Sequence, residues 1–211
     1  MIVPAMTLRE IRKALDFDYH HELHSVMKNM EVKTLIRQKR EGFTDHVETV
    51  MYTSSTKNKW RIILSYKNKA IVTIPYLIAD NHTGITASHF VYGFGTQMMM
   101  HFNTHFFKRY QERCNLTICK PADVVKHFFK DNIMMLPCFM EMDEGPKQLF
   151  CPLHHGVGLG TYHPDVEIYE FKTFVDHSLL KPDQKVRVIE IWKTAAQVFQ
   201  AQLEQLNHKK H

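Results

Sequence analysis

The segment HFNTHFFKRYQERC is the part of the sequence best equipped for chemistry. If the chain is helical from Thr104, then His105, Arg109, Glu112 and Arg113 fall within a sector of roughly 100°. Two guanidinium groups can hold phosphate oxygens in forked hydrogen bonds, and an imidazole can transfer a proton near neutral pH. This combination suits a phosphodiester, with Glu112 available to orient an arginine or the histidine.

The same residues also fit a helix face that only meets solvent. Charged exposed faces are routine in globular proteins, and Arg109 and Glu112 are spaced for an i,i+3 ion pair. The opposite side of the helix carries three aromatic side chains and Cys114, which predicts that this side packs on a core. Both interpretations of the polar face therefore stay open.

The spacings of histidine and cysteine give little support for a metal site. His101 and His105 are four residues apart, but no glutamate follows His101 as an HExxH zinc motif requires. A second set lacks the close cysteine pairs of zinc sites and consists of Cys138, Cys151, His154 and His155. We predict no metal ligand, no cofactor and no disulfide.

The elements that must position these residues follow from hydrophobic periodicity. Residues 7–40 and 182–207 show the helical period, residues 46–102 show strand alternation, and two helices begin near Thr104 and Pro121. Short polar linkers join the runs VETVMYT, WRIILSY and AIVTIPYLI, which predicts an antiparallel meander. Further strands are predicted at ITASHFVYGF, TQMMMHF, IMMLPCFME, QLFCPL, GVGLGTY and EIYEFKTFV.

This order of elements predicts an α+β protein with a largely antiparallel sheet and helices at both ends. We expect a helical N-terminal segment (1–45), an α+β core (46–180) and a C-terminal helix (181–211). The last helix carries apolar side chains on one side: Val186, Ile189, Trp192, Ala196, Phe199 and Leu203.

The string THFFKRYQER, followed by LTICKPADVVKHFF and later by strands that end in KTFV, resembles the pattern of small ribonuclease toxins related to BrnT and RelE. The resemblance extends over roughly residues 97–176. It implies a toxin-like helix-helix-hairpin core and metal-independent RNA cleavage, in which a 2′-hydroxyl attacks the neighbouring phosphate. This chain is longer than such toxins on both sides of the matching region. The additional segments could bind a partner such as an antitoxin, or could block the site.

The resemblance also implies roles for particular residues. His105 would act as the acid or base, and Arg109 and Arg113 would clamp the phosphate. Glu112 would assist them on the same helix. Thr173 would supply a polar contact from the facing strand.

Lys108 and His155 are predicted to contact RNA beside this site. The alternative to an endoribonuclease is a non-catalytic module that binds nucleic acid, or docks on a protein, through the basic helix face 105–113. Geometry separates the two hypotheses. A catalytic site requires the predicted histidine and arginines to converge with Thr173 or His155 in a concave pocket, whereas side chains that fan out on a convex face favour binding.

Composition sets the expected class of protein. A chain of 211 residues with 44% hydrophobic and 23% charged residues is predicted to fold around a core. The net charge of +5 is compatible with an anionic partner such as RNA. Because no stretch resembles a signal peptide or a membrane span, we expect a cytoplasmic protein that does not enter a membrane. The sequence leaves the oligomeric state open.

Overall fold

The computed structural model describes residues 1–3, 6–67, 69–81, 84–93, 96–133, 135–140, 148–182, 184–194 and 197. The chain begins with α1 (Leu8–Asp18), a π-helix (Tyr19–Leu23) and α2 (His24–Glu41). Five strands follow: β1 (Asp45–Thr53), β2 (Lys59–Lys67), β3 (Ala70–Asn81), β4 (Gly84–Gly93) and β5 (Thr96–Phe102). The second half contains α3 (Thr104–Arg113), α4 (Pro121–Asp131), β6 (Cys138–Met140), β7 (Gln148–Leu153), β8 (Gly156–His163), β9 (Ile168–Asp176) and a short 3-10 turn (His177–Leu179).

All nine of these strands belong to one sheet, in the order β1-β2-β3-β4-β5-β9-β8-β7-β6. β1 to β5 form an antiparallel meander, as predicted, and β9 to β6 form a second antiparallel group. β5 and β9 join the two groups by parallel pairing. A parallel pair needs a long crossover connection, and α3, α4 and the strands β6 to β8 provide it. The predicted α+β class and largely antiparallel sheet are confirmed.

α3 and α4 cover one face of the sheet and form the main core with it. Aromatic rings dominate this core: Phe102, Phe106, Phe107, Tyr110, Phe128, Phe129, Phe171 and Phe174 are all buried. Tilted and edge-to-face contacts join most of these rings at centroid distances between 5.0 and 6.1 Å, a range in which aromatic pairs attract. α3 is therefore fixed by its apolar side, and its polar side is left for solvent or a ligand.

The N-terminal helices cover the opposite face of the sheet. Leu15, Tyr19 and Leu23 pack there against Trp60 and Phe90. The helical period predicted for residues 7–40 is interrupted by the π-helix, in which the amide of His24 donates to the carbonyl of Tyr19, five residues earlier. Tyr19 and Leu23, at the two ends of the π-helix, are both buried. The helix ends at Gly42, which adopts a left-handed conformation with φ 70°.

A C-terminal helix, described over residues 184–194, lies on the same face as α1 but over β7 and β8. Its Val188 is buried against Phe150 and Val157. Beyond residue 194, residue 197 is the only part of the predicted helix that is among the described residues. The predicted strand IMMLPCFME is reduced to Cys138–Met140 among the residues that the structure describes.

Candidate functional site

α3 is held at its start by Asn103. The side-chain oxygen of Asn103 accepts a hydrogen bond from the backbone amide of Phe106 at 2.9 Å. The backbone amide of Asn103 donates to the carbonyl of Phe171 at 3.2 Å. The first contact caps the helix and the second ties it to β9. The orientation of α3, and hence of every ionisable residue on it, is set by these two contacts and by the aromatic core.

His105, Lys108, Arg109 and Glu112 form an outward stripe along α3. Arg109 Nη1 lies 3.0 Å from Glu112 Oε2, the i,i+3 ion pair that the solvated interpretation predicts. This pair is about half exposed and contributes less than about 1 kcal/mol. The stripe faces away from the sheet, so these four residues do not converge with the predicted partners on β9.

Arg113 separates from this stripe. Its guanidinium donates to the backbone carbonyl of Phe174 on β9, and the residue is half-buried. This contact holds the end of α3 against the sheet. The predicted phosphate clamp of Arg109 and Arg113 is therefore divided between an outward ion pair and an inward backbone contact.

Thr173 lies on the wrong side of the sheet for the predicted contact. It is paired with Leu159 on β8, and Leu159 packs with Phe150 beneath the C-terminal helix. Directly paired residues share a face, so the side chain of Thr173 points away from α3. The cause is a bulge at Lys172: the register passes from the Thr173–Leu159 pair to the Phe171–Gly160 pair with Lys172 unpaired.

The predicted RNA contact His155 enters a cluster centred on Asp131. Asp131 Oδ2 lies 3.3 Å from His127 Nδ1 and 3.5 Å from His155 Nε2. The hydroxyl of Tyr110 lies 3.0 Å from His127 Nδ1 and 3.4 Å from Asp131 Oδ2. Two imidazoles thus share one carboxylate oxygen. The exposed fractions of their side chains, 36% for His127 and 43% for His155, leave both open to a ligand.

Three elements bring this Asp131 cluster together. Tyr110 comes from α3, and His127 and Asp131 stand one turn apart at the end of α4. The turn between β7 and β8 supplies His155, and it is fixed from two directions. The amide of His154 donates to Asn132 Oδ1 at 2.8 Å, and the amide of His177 donates to the carbonyl of His155 at 3.3 Å.

The environment of the cluster keeps the side chains of Tyr110 and Cys114 protonated. Burial, followed by the charge of Asp131, raises the pKa of Tyr110 far above its ordinary value, so the phenol stays protonated and can donate. Burial and the nearby carboxylates of Asp176 and Asp131 raise the pKa of Cys114 to about 11. Cys114 is therefore a thiol at neutral pH and a poor nucleophile.

A second polar network lies on the opposite face of the sheet. Ser88 Oγ lies 3.0 Å from His101 Nδ1, and both residues are buried. Glu170 Oε2 lies 2.9 Å from His163 Nε2 and 3.3 Å from Lys172 Nζ, and Glu170 is the register partner of His101. Burial acts to raise the pKa of Glu170, but these partners outweigh it and hold the pKa below its ordinary value. The network links four neighbouring strands and contains no residue of α3.

Within the described parts of the chain, no group of three or more histidine, cysteine, aspartate or glutamate side chains is arranged to hold a metal ion. The two cysteines of the set considered for zinc lie in β6 and β7, and Cys151 is buried. His154 and His155 stand in the following turn with their ring centroids 4.4 Å apart. Burial raises the pKa of Cys138 to about 11, so this thiol is also protonated at neutral pH.

His127 and Asp131 were absent from the predicted site although the sequence contains a signal for them. They are spaced i,i+4 on a helix whose other side is apolar, in the run DVVKHFFKD, so their side chains must be neighbours. The sequence gives no comparable signal for Tyr110 or His155, since their approach depends on how α3, α4 and the sheet pack.

No family model, curated protein or solved structure matches this chain. No helix in the described parts of the chain is both long and apolar enough to span a membrane.

Proposed function

We propose that this protein acts on RNA and cleaves its phosphodiester bonds without a metal, with His127 and His155 as the acid–base pair. The observation that carries the proposal is the Asp131 carboxylate oxygen shared by the two half-exposed imidazoles. Proton transfer at both ends of a phosphodiester needs two such groups, and histidine is suited to either role near neutral pH. This proposal assigns the catalytic role to residues of α4 and the β7–β8 turn, whereas the sequence-based hypothesis assigned it to His105.

The contacts of the cluster indicate which histidine acts as the base and which as the acid. Asp131 and Tyr110 lie against Nδ1 of His127, which leaves Nε2 to take the proton from a 2′-hydroxyl. Nε2 of His155 lies against Asp131, and a protonated His155 can give the Nδ1 proton to the departing 5′-oxygen. The 2′-oxygen then forms a bond to phosphorus as the bond to the 5′-oxygen breaks. The products are a 2′,3′-cyclic phosphate and a 5′-hydroxyl.

RNA is the proposed substrate because it carries its own nucleophile. The 2′-hydroxyl removes the need for an activated water, and hence for the metal that commonly activates one. Asp131 contributes a negative charge that a phosphate would meet unfavourably, but protonation of either histidine offsets it. The exposed Lys130 is the neighbour of Asp131 in the sequence and supplies further positive charge beside the cluster.

The test is cleavage of a fluorescent RNA in EDTA, compared with the same sequence carrying one 2′-deoxynucleotide at the cleaved position. We expect cleavage of the RNA and none at the deoxy position. His127→Ala and His155→Ala should each lower the rate constant by about 10² to 10⁴. His105→Ala, on the outward stripe of α3, is the matched control and should retain most of the rate.

Two results would contradict the proposal. The first is intact RNA at all enzyme concentrations. The second is cleavage that survives both His127→Ala and His155→Ala, which would indicate a contaminating nuclease or another site. Thermal unfolding of each variant shows whether the fold is kept, which is expected because both side chains are half-exposed.

Non-catalytic binding of nucleic acid is the second candidate, and the outward stripe of α3 favours it. His105, Lys108 and Arg109 present their polar groups away from the core, where a phosphate backbone could reach them. On this hypothesis Lys108→Glu should weaken RNA binding and reduce its salt dependence, while His127→Ala should leave binding unchanged. Fluorescence anisotropy at several salt concentrations separates this outcome from cleavage.

A further inference from the structure

β1 forms a long open edge of the sheet. Among the described strands it pairs only with β2, and this pairing covers all nine residues from Asp45 to Thr53 without a break. At the opposite edge, β6 is described over three residues only. β1 is therefore the extended edge of the described sheet, and one side of its backbone has no strand beside it.

This edge lacks the features by which proteins commonly prevent edge strands from pairing. β1 contains no proline, lysine or arginine, and its register has no bulge. The central charge is already partnered, because Glu48 Oε2 lies 3.3 Å from Arg37 Nη1 and 3.2 Å from His46 Nε2. Large apolar side chains are exposed instead, with Val47 at 48% and Met51 at 56%. The edge is thus open to a further strand.

The turn after β1 shows which backbone groups point outward. The amide of Ser54 donates to the carbonyl of Asn58 at 3.0 Å, so the backbone of Ser54 faces the β2 side. Successive residues of an antiparallel strand alternate between the neighbour on one side and the neighbour on the other. Counting back from Ser54, the even-numbered residues bond to β2, and the odd-numbered residues present their N–H and C=O groups to the open edge. All five odd-numbered residues of β1 are exposed.

We propose that β1 pairs antiparallel with β1 of a second copy of the protein, with Thr49 of one copy opposite Thr49 of the other. This register pairs all nine residues, because Thr49 is the middle of the strand. It places odd-numbered residues opposite odd-numbered residues, so their outward backbone groups exchange hydrogen bonds. Directly paired residues share a face, so each face of the sheet continues from one copy to the other.

The side chains of β1 are complementary to themselves in this register. Val47 lies opposite Met51 of the other copy, and by symmetry this apolar pair forms twice. Glu48 lies opposite Val50, so no acidic residue faces its own copy. A register centred on Glu48 would instead place two carboxylates directly opposite each other, which is destabilising. The apolar and acidic residues of the strand therefore favour a second copy as the occupant, and they favour one register for it.

The first measurement is the mass of the full-length protein in solution by light scattering over a range of concentrations. We expect a species of twice the 24.9 kDa chain mass that dissociates on dilution. Thr49→Pro should give the single-chain mass, because proline removes an outward N–H and places its ring in the path of the second strand. The hydrogen bonds between β1 and β2 do not use this N–H, so circular dichroism should show that the fold is kept.

Two lysine substitutions test the edge without changing the backbone. Met51→Lys places a charge opposite Val47 of the other copy and should also give the single-chain mass. Val186→Lys is the matched control, because Val186 is likewise 56% exposed but lies on the C-terminal helix, over the far end of the sheet. It should keep the doubled mass. A Val186→Lys variant that alone loses the doubled mass would overturn the proposal in favour of that helix.

Amide hydrogen exchange followed by NMR gives a readout at single residues. The amides of Val47, Thr49 and Met51 should exchange more slowly as the protein concentration rises. The amides of Glu48 and Val50 should be protected at every concentration, because they bond to β2. A doubled mass that survives both Thr49→Pro and Met51→Lys would overturn the proposal. A single-chain mass at every concentration would also overturn it and would leave the edge to a strand of another protein.

Discussion

Asp18 is a fully buried carboxylate that joins the N-terminal helices to the β1–β2 turn. Its two oxygens accept hydrogen bonds from Trp60 Nε1 at 2.8 Å, Asn58 Nδ2 at 2.8 Å and Thr56 Oγ1 at 2.6 Å. Without Asp18 the buried Trp60 indole would have no partner, which costs roughly 1 to 3 kcal/mol. Asn58 and Thr56 would lose an acceptor and keep their contacts with each other and with Ser54. The carboxylate is needed at this point because one side chain must accept three hydrogen bonds.

Replacing Asp18 therefore gives a prediction at the scale of one residue. Asp18→Ala should lower the free energy of unfolding by about 3 kcal/mol or more, since it leaves the Trp60 indole unsatisfied, removes an acceptor from Asn58 and Thr56, and opens a cavity. Asp80→Ala, which removes an exposed carboxylate of β3, should change it by less than about 0.5 kcal/mol. Urea denaturation followed by circular dichroism measures both. Equal effects would mean that the Asp18 hydrogen bonds do not contribute as described.

At the scale of elements, the pairing of β8 with β9 determines which residues face α3. The bulge at Lys172 reverses the alternation of β9, so that Phe171 and Phe174 both enter the main core. Gly160 stands opposite this bulge, and a Cβ there would overlap the backbone carbonyl of Glu170. The glycine permits the close approach of the two strands.

Gly160→Ala should therefore disturb the bulge itself. We expect a loss of about 3 kcal/mol or more, because backbone atoms rather than a mobile side chain obstruct the added methyl group. Gly42→Ala is the comparison: it meets no atom within 4 Å, and its left-handed φ of 70° costs about 1 kcal/mol. Thermal unfolding of both variants tests which substitution destabilises the protein more. If Gly42→Ala is the more damaging change, the strands do not approach as closely as the structure has them.

At the scale of the whole molecule, helices cover both faces of the sheet and bury a histidine on each side. His89 packs against Phe129 of α4, and its Nδ1 lies 2.9 Å from the carbonyl of Pro75. His101 lies beneath the opposite covering, beside Ser88. Burial lowers the pKa of both histidines to about 4, and both are therefore neutral in the folded protein at physiological pH.

This burial predicts how stability depends on pH. The ordinary pKa of 6.5 applies to the unfolded chain, so between pH 6.5 and 4 the unfolded state binds protons that the folded state does not. The free energy of unfolding should be at its full value above pH 6.5. It should fall between pH 6.5 and 4 by up to about 3 kcal/mol for each histidine. Urea denaturation at several pH values measures the slope of the free energy of unfolding against pH. His89→Asn should reduce it, and a flat profile between pH 7 and 5 would contradict the buried, neutral assignment.

The predicted elements were largely correct because their signals are local. Strand alternation, the polar linkers of the meander, Pro121 at the start of α4 and Gly42 at the end of α2 each depend on a few neighbouring residues. The apolar side of α3 was also predicted correctly, and its Phe106, Phe107 and Tyr110 are buried. Local pattern thus determined the α+β class, the antiparallel character of most of the sheet and the division of α3 into two faces.

Tertiary structure decided which polar residues meet. The resemblance implied that Thr173 faces α3. Regular alternation along β9 would put Thr173 on the same side as Phe171, but one unpaired residue, Lys172, reverses that arrangement. Tyr110, Asp131 and His155 lie far apart in sequence and meet because α3, α4 and the β7–β8 turn pack together at one end of the sheet. Periodicity identifies the face on which a residue lies within its own element. It carries no information about which element will lie opposite, since packing and register settle that only when the whole chain folds.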